Sequence, residues 1–164
     1  CGRTMNPIFR EILELLNIYE VVYIFVGGVA AVIQGAPITT FDLDTLVQIS
    51  EENANRLLLA LDDLEARYRE HQSTIKPTRE DLLAGGHLLL LTRAGPLDVL
   101  GFIGEKDRYE DLVPHSAEFA MTIGRFRVLG LEELIRQKKA TDRPKDRAVL
   151  ELLEQALRHQ GQKD

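Results

Sequence analysis

The feature that most narrows what this chain can fold into is the stretch from Tyr23 to Val47, YIFVGGVAAVIQGAPITTFDLDTLV. Val21, Val22, Tyr23, Ile24, Phe25 and Val26 form an apolar run rich in β-branched and aromatic residues, and it stops at a glycine pair. That pattern predicts a buried strand ending in a tight turn. After Gly27 and Gly28 the segment VAAVIQG is apolar and short, which predicts a brief helix closing at Gly35. Pro37 ends it, and a second strand is expected to carry Asp42 and Asp44. Side chains two apart on a strand share a face, roughly 6–7 Å from each other, while Leu43, Thr45 and Val47 take the opposite face. A lone Asp-x-Asp also suits solvated charge or strand-end turn chemistry, and a lone Gly-Gly suits a turn. Two neighbouring carboxylates repel, however, unless a cation sits between them. Mg²⁺ is the hard ion that typically takes one or two carboxylates together with phosphate oxygens.

The rest of the chain supplies elements to build around this stretch. Asn6 is expected to cap a first helix with Pro7 at its first position, and Ile8, Ile12, Leu15 and Leu16 make an apolar stripe ending near Asn17. The second strand is expected to run to Ile49. Ser50 then caps a helix with Glu51 and Glu52 at its positive end and with Ala54, Leu57, Leu58, Leu61 and Leu64 on one face. From Ala66 to Gly86 the signal weakens to an irregular connection, carrying Arg67, Tyr68, Arg69, His71 and Lys76. Thr78 to Asp81 there reads as the capped start of a short helix stopping at Gly85-Gly86. His87–Leu91 and Leu97–Ile103 read as strands around the turn Ala94-Gly95-Pro96. Asp98 falls early in the second of them, in an apolar run where an unpaired charge is costly. Phe119–Ile123 and Phe126–Leu129 read as a further pair turning at Gly124-Arg125. Two amphipathic helices close the chain, broken at Asp142-Arg143-Pro144, and Gln160 to Asp164 is expected to be a disordered tail.

With 164 residues, 45% hydrophobic and 28% charged, the chain has room for one well-packed domain and the composition of a soluble globular protein. No repeat, low-complexity tract or long linker divides it. The expected organisation is a single domain over 1–164, with residues 1–4 a cloning remnant, 5–129 the core, 130–159 the C-terminal helices and 160–164 the tail. A net charge of -6 argues against a surface built for general nucleic-acid binding. No apolar run approaches the roughly 20 residues of a membrane span. A single cysteine, Cys1, allows no intrachain disulfide and no thiolate zinc cluster, and a cytoplasmic location without membrane contact is expected. There is no Gly-Lys-Ser/Thr phosphate loop, no Gly-x-Gly-x-x-Gly turn after the first strand and no Gly-x-Ser-x-Gly elbow. His71, His87, His115 and His159 show no metal-ligand spacing.

Taken jointly, Gly27-Gly28, Gly35, Thr40, Asp42 and Asp44 resemble the signature of the DNA-polymerase-β-like nucleotidyltransferase superfamily, particularly its small stand-alone prokaryotic members, some of which resemble toxins of abortive-infection and toxin–antitoxin systems. The resemblance implies an α/β (α+β) fold: a mixed, twisted sheet of the nucleotidyltransferase palm type with flanking helices and a C-terminal helix pair. It implies that the backbone at Gly27 and Gly28 lies against a triphosphate, with Thr40 beside it, and that Asp42 and Asp44 hold metal ions. The third carboxylate that the family needs is supplied by Asp98. The phrase LIRQKKATDRPKD resembles the C-terminal motif of the toxin-like members, which implies Lys138 near the nucleotide phosphates and supporting contacts from Asp146 and Arg143. As a local basic excess in an acidic protein, the same segment reads equally as a solvated helix face.

The function so implied is metal-dependent nucleotidyl transfer. Two Mg²⁺ (or Mn²⁺) ions, roughly 3.5–4 Å apart, lie between Asp42, Asp44 and Asp98 while an acceptor hydroxyl attacks the α-phosphate of a nucleoside triphosphate. The acceptor is left open between protein, RNA and small molecule, and a cognate antitoxin is a further implied partner. One departure sets an alternative. Many relatives carry Arg where this chain has Ile38, and an aliphatic side chain can neither meet phosphate nor brace the aspartates. The alternative is a catalytically weakened member acting as a nucleotide- or partner-binding regulator. A structural module with no nucleotide role is the second rival.

Overall fold

A computed structural model describes residues 7–70, 74–141 and 143–162, leaving aside the side chains of Pro7 and Ile8. The expectations for Cys1 to Asn6, His71, Asp142, Lys163 and Asp164 lie outside these residues. The elements in order are α1 (Pro7–Ile18), β1 (Tyr23–Val26), α2 (Gly27–Ile33), β2 (Leu43–Val47), α3 (Glu51–Asp63), β3 (Arg67–Tyr68), α4 (Arg79–Ala84), β4 (His87–Thr92), β5 (Gly95–Leu100), α5 (Tyr109–Leu112), β6 (Ser116–Met121), β7 (Gly124–Leu129), α6 (Leu131–Thr141) and α7 (Pro144–Gly161). The seven strands form one mixed sheet in the order β3-β4-β5-β2-β1-β7-β6. The pairs β1–β7 and β2–β5 are parallel, and the others are antiparallel. The expected mixed sheet with flanking helices and a C-terminal helix pair is what the chain forms. No helix among the described residues is long and apolar enough to cross a membrane.

Period two decides which side of the sheet is closed. Leu43, Thr45, Val47, Leu90, Leu97 and Val99 share one face and are buried. The other face carries Asp44 and Asp98, and beyond them on β4 the exposed His87 and Leu89. α1 adds Phe9, Ile12, Leu13 and Leu16 to the core, and α3 adds Ala54, Leu57, Ala60 and Leu61. α3 starts where the sequence puts it: Ser50 accepts a hydrogen bond from the Asn53 backbone N–H at 3.1 Å. The Asn53 side chain then ties α3 to the strand ends. It donates to the carbonyls of Val22 (2.9 Å) and Gln48 (2.8 Å) and accepts from the Val22 N–H (2.7 Å). α4 begins with the capping box Thr78/Asp81 and ends at Gly85, in the left-handed region with φ 74°.

The differences from the sequence reading are local. β2 ends at Val47 and β5 at Leu100, two and three residues short of expectation, with one further backbone hydrogen bond past each end, Gln48 N–H to the Val22 carbonyl and Gly101 N–H to the Gly86 carbonyl. The last hairpin turns at Thr122-Ile123, with Met121 opposite Gly124. Gly124, at φ 129°, takes the strand's first position, in a conformation that side chains disfavour. α7 continues through Gly161, so Gln160 and Gly161 belong to the helix and not to a disordered tail. Nothing between Leu157 and Gly161 breaks the helix. The region expected to be irregular contains a two-residue edge strand, β3, which two pairings hold: Arg67 with Leu91 and Tyr68 with Leu90.

Candidate active site

Sheet register brings two acids together that lie far apart in sequence. Asp44 and Asp98 are partners across the parallel pair β2–β5, and paired residues project from the same face. Thr45 locks that register by donating from its hydroxyl to the Asp98 carbonyl at 2.9 Å. The two carboxyl groups are close enough to hydrogen-bond to each other. Burial, that hydrogen bond, and the charges of Asp98 and Asp42 push the Asp44 carboxyl up from its ordinary 3.8 to about 8, against the opposing pull of Lys138.

Asp42 stands differently. It lies on the bend one residue before β2 and is exposed, so it does not share the strand of Asp44 as the sequence pattern predicts. Its charge nevertheless acts on Asp44. Among the described residues no three His, Cys, Asp or Glu side chains already converge as a closed metal cage. The donor set still fits a hard divalent cation. It is all carboxylate oxygen, and added positive charge beside Asp44 would favour ionisation of both inner members.

The glycine pair makes this crowding possible. α2 begins directly at Gly27, which has φ +66°. A Cβ at Gly27 would stand 2.2 Å from Asp44 Oδ2, and one at Gly28 would stand 2.8 Å from Thr40 Oγ1. The absent side chains therefore leave room for Asp44 and Thr40. Thr40 in turn donates to the Asp42 carbonyl at 3.0 Å, which fixes the approach to β2. Ile38 packs at the edge of the core in the same connection.

The C-terminal helix pair contributes a second cluster. Asp146, 6% exposed, is met by Lys138 Nζ at 3.2 Å, by the Thr141 hydroxyl at 3.1 Å and by Arg143 Nε at 3.4 Å. Burial raises the Asp146 carboxyl, but the hydrogen bond and charge of Lys138 outweigh it and hold the group below its ordinary value. Lys138 also lowers the Asp44 carboxyl, so its ammonium lies within electrostatic reach of both clusters. Asp146 thus pairs with both Lys138 and Arg143.

The sequence reading did not bring Arg69 here. This residue follows β3, and its terminal nitrogen reaches Asp98 Oδ1 at 2.5 Å and the Leu90 carbonyl at 3.0 Å. The available signal was the alternation Arg67-Tyr68-Arg69, a period-two pattern too short to stand out in a polar stretch.

No protein-family model matches the chain, and no curated protein matches it in sequence. Solved structures do match. A Thermotoga maritima protein provisionally described as a nucleotidyltransferase superposes with TM-score 0.58 at 16% identity, covering 92% of this chain and 94% of that one. The lincosamide antibiotic adenylyltransferase LnuA, bound to lincomycin, gives 0.61 at 12% identity, covering 93% and 98%. The antibiotic-resistance factor ANT(2'')-Ia gives 0.58 at 15% identity, covering 95% and 84%. The chain thus has the nucleotidyltransferase fold over nearly its whole length.

Proposed function

We propose that this protein is a nucleotidyltransferase that moves a nucleoside monophosphate from a nucleoside triphosphate to an acceptor hydroxyl. The observation that carries the reading is the pairing of Asp44 with Asp98 across β2 and β5, against a glycine whose missing side chain makes room for the carboxylate. Arg69 pairs with Asp98, whereas burial and the neighbouring acids disfavour the charge of Asp44, an arrangement that a bound cation would relieve. In this reading Asp42, Asp44 and Asp98 would hold Mg²⁺ or Mn²⁺. When bound, the metal supplies positive charge that favours ionisation of the acceptor hydroxyl and neutralises the departing pyrophosphate.

The chain's own part is positioning and charge stabilisation. Lys138, anchored by Asp146, would meet phosphate oxygens. The backbone at Gly27 and Gly28 gives the triphosphate close approach, with Thr40 beside it. Asp98, on the open face toward β4, is the carboxylate nearest an incoming acceptor. LnuA is described as a lincosamide antibiotic adenylyltransferase and ANT(2'')-Ia as an antibiotic-resistance factor, which supports a small hydroxylated compound as acceptor. The toxin-like role, and with it a cognate antitoxin, is supported by the Leu134–Asp146 phrase alone.

The test is transfer of label from each α-labelled nucleoside triphosphate, with Mg²⁺ or Mn²⁺, to a panel of hydroxylated antibiotics, total RNA and cell lysate. Label transferred by wild type and lost in Asp42→Ala supports the enzyme. Ile38 favours a second reading, a regulator that binds nucleotide and transfers poorly. Nucleotide binding by wild type with no label under any condition, and label regained in Ile38→Arg, would select that reading.

A further inference from the structure

One transverse row runs through four strands. Tyr68 pairs with Leu90, which sets Arg69 beside Leu89, and the Arg69 N–H donates to the Leu89 carbonyl at 2.9 Å. Leu89 pairs with Asp98, and Asp98 pairs with Asp44. Arg69, Leu89, Asp98 and Asp44 therefore stand in one line on the face that holds the site. The Arg69 side chain spans Leu89 to reach Asp98, whose side chain is only 15% exposed.

The hold on Arg69 is specific. Its backbone is fixed to β4, its terminal nitrogen is shared between Asp98 Oδ1 and the Leu90 carbonyl, and its Nε is buried with no acceptor among the described residues. A buried N–H left unpaired costs about 1–3 kcal/mol. The Arg69 side chain is turned to Asp98 and the Leu90 carbonyl while its Nε stays out of solvent. Asp98 is then gripped from both sides, by Arg69 on one and by Asp44 on the other.

We propose that Arg69 is a positioning residue that orients Asp98 toward Asp44 as a metal-binding carboxylate. The role rests on the nucleotidyltransferase reading above. Partners that orient ligating carboxylates typically change metal affinity or activity by about 10–100-fold when removed. Arg69 acts only through Asp98, so its removal has no effect once Asp98 cannot be oriented usefully.

The experiment is Mn²⁺ binding alone, read by the free-ion paramagnetic resonance signal, in wild type, Arg69→Gln, Asp98→Asn and the double variant. Arg69→Gln is expected to weaken Mn²⁺ binding about 10-fold or more, and to weaken it less than about twofold when added to Asp98→Asn. If Arg69→Gln does not fold, Arg69→Lys is measured in its place; it keeps the charge but loses the fixed fork, and a loss of at least about threefold is expected. Unchanged Mn²⁺ affinity in a folded Arg69 variant overturns the role, as does an equal loss with and without Asp98. A wild type that binds no Mn²⁺ refutes the proposed function itself, whereas a binding wild type with an indifferent Arg69 refutes only this inference.

Discussion

Replacing Asp44 by Asn should change how stability depends on pH in a way that only the observed packing predicts. In the metal-free protein the Asp44 carboxyl rises from 3.8 to about 8, chiefly through burial and then through Asp98 and Asp42. The folded state therefore keeps a proton that the unfolded chain, with a carboxyl near 3.9, has released. Between those values the folded protein binds more protons than the unfolded one, so stability falls as pH rises and levels off above the folded value. The window spans about four pH units at roughly 1.4 kcal/mol each, an upper bound on the order of 5 kcal/mol. Asp44→Asn abolishes this loss, since its amide carries no charge to desolvate. A divalent cation held by these carboxylates would abolish it in wild type by favouring their ionised form. Urea unfolding at pH 5, 6.5, 8 and 9 in chelator, then in Mg²⁺, gives the comparison. Wild type should lose at least ~2 kcal/mol more than Asp44→Asn from pH 5 to 9 in chelator, and should regain it in Mg²⁺. Parallel pH profiles for the two proteins would refute the reasoning, because other titrating groups are common to both.

Two further outcomes follow from the same geometry. Gly27→Ala places a Cβ 2.2 Å from Asp44 Oδ2 at φ +66°; the left-handed backbone alone costs about 1–2 kcal/mol, so the variant should unfold at lower urea and bind Mn²⁺ at least ~10-fold more weakly. Lys138→Ala removes the ammonium between Asp146 and Asp44 and should weaken Mg-nucleotide binding about 10-fold by isothermal titration, while nucleotide-free Mn²⁺ binding, relieved of a like charge, holds or tightens. Equal weakening of both would place Lys138 in a purely structural role.

Much of the fold was legible because its signals are local. The run from Tyr23 to Val26, the glycine stop, the Ser50 and Thr78 caps and the break at Pro144 each depend on side chains within a few residues of one another. The same locality flagged Asp42 and Asp44 as a pair and Lys138 as a cation on a C-terminal helix. It could also suggest that Asp98 was out of place in its apolar run. What no local pattern contains is sheet register. That Asp98 faces Asp44, with Arg69 two strands further along the same row, is set by which strands pair and at what offset. Register in turn follows from burying Leu43, Thr45, Leu97, Val99 and Leu90 together on the opposite face. A shift of either strand by one residue would have turned its acid into the core. The sequence by itself determined which residues carry the charge and where the chain turns. Only the tertiary structure decided which of those charges meet, because pairing is fixed by the apolar side that must be kept from water.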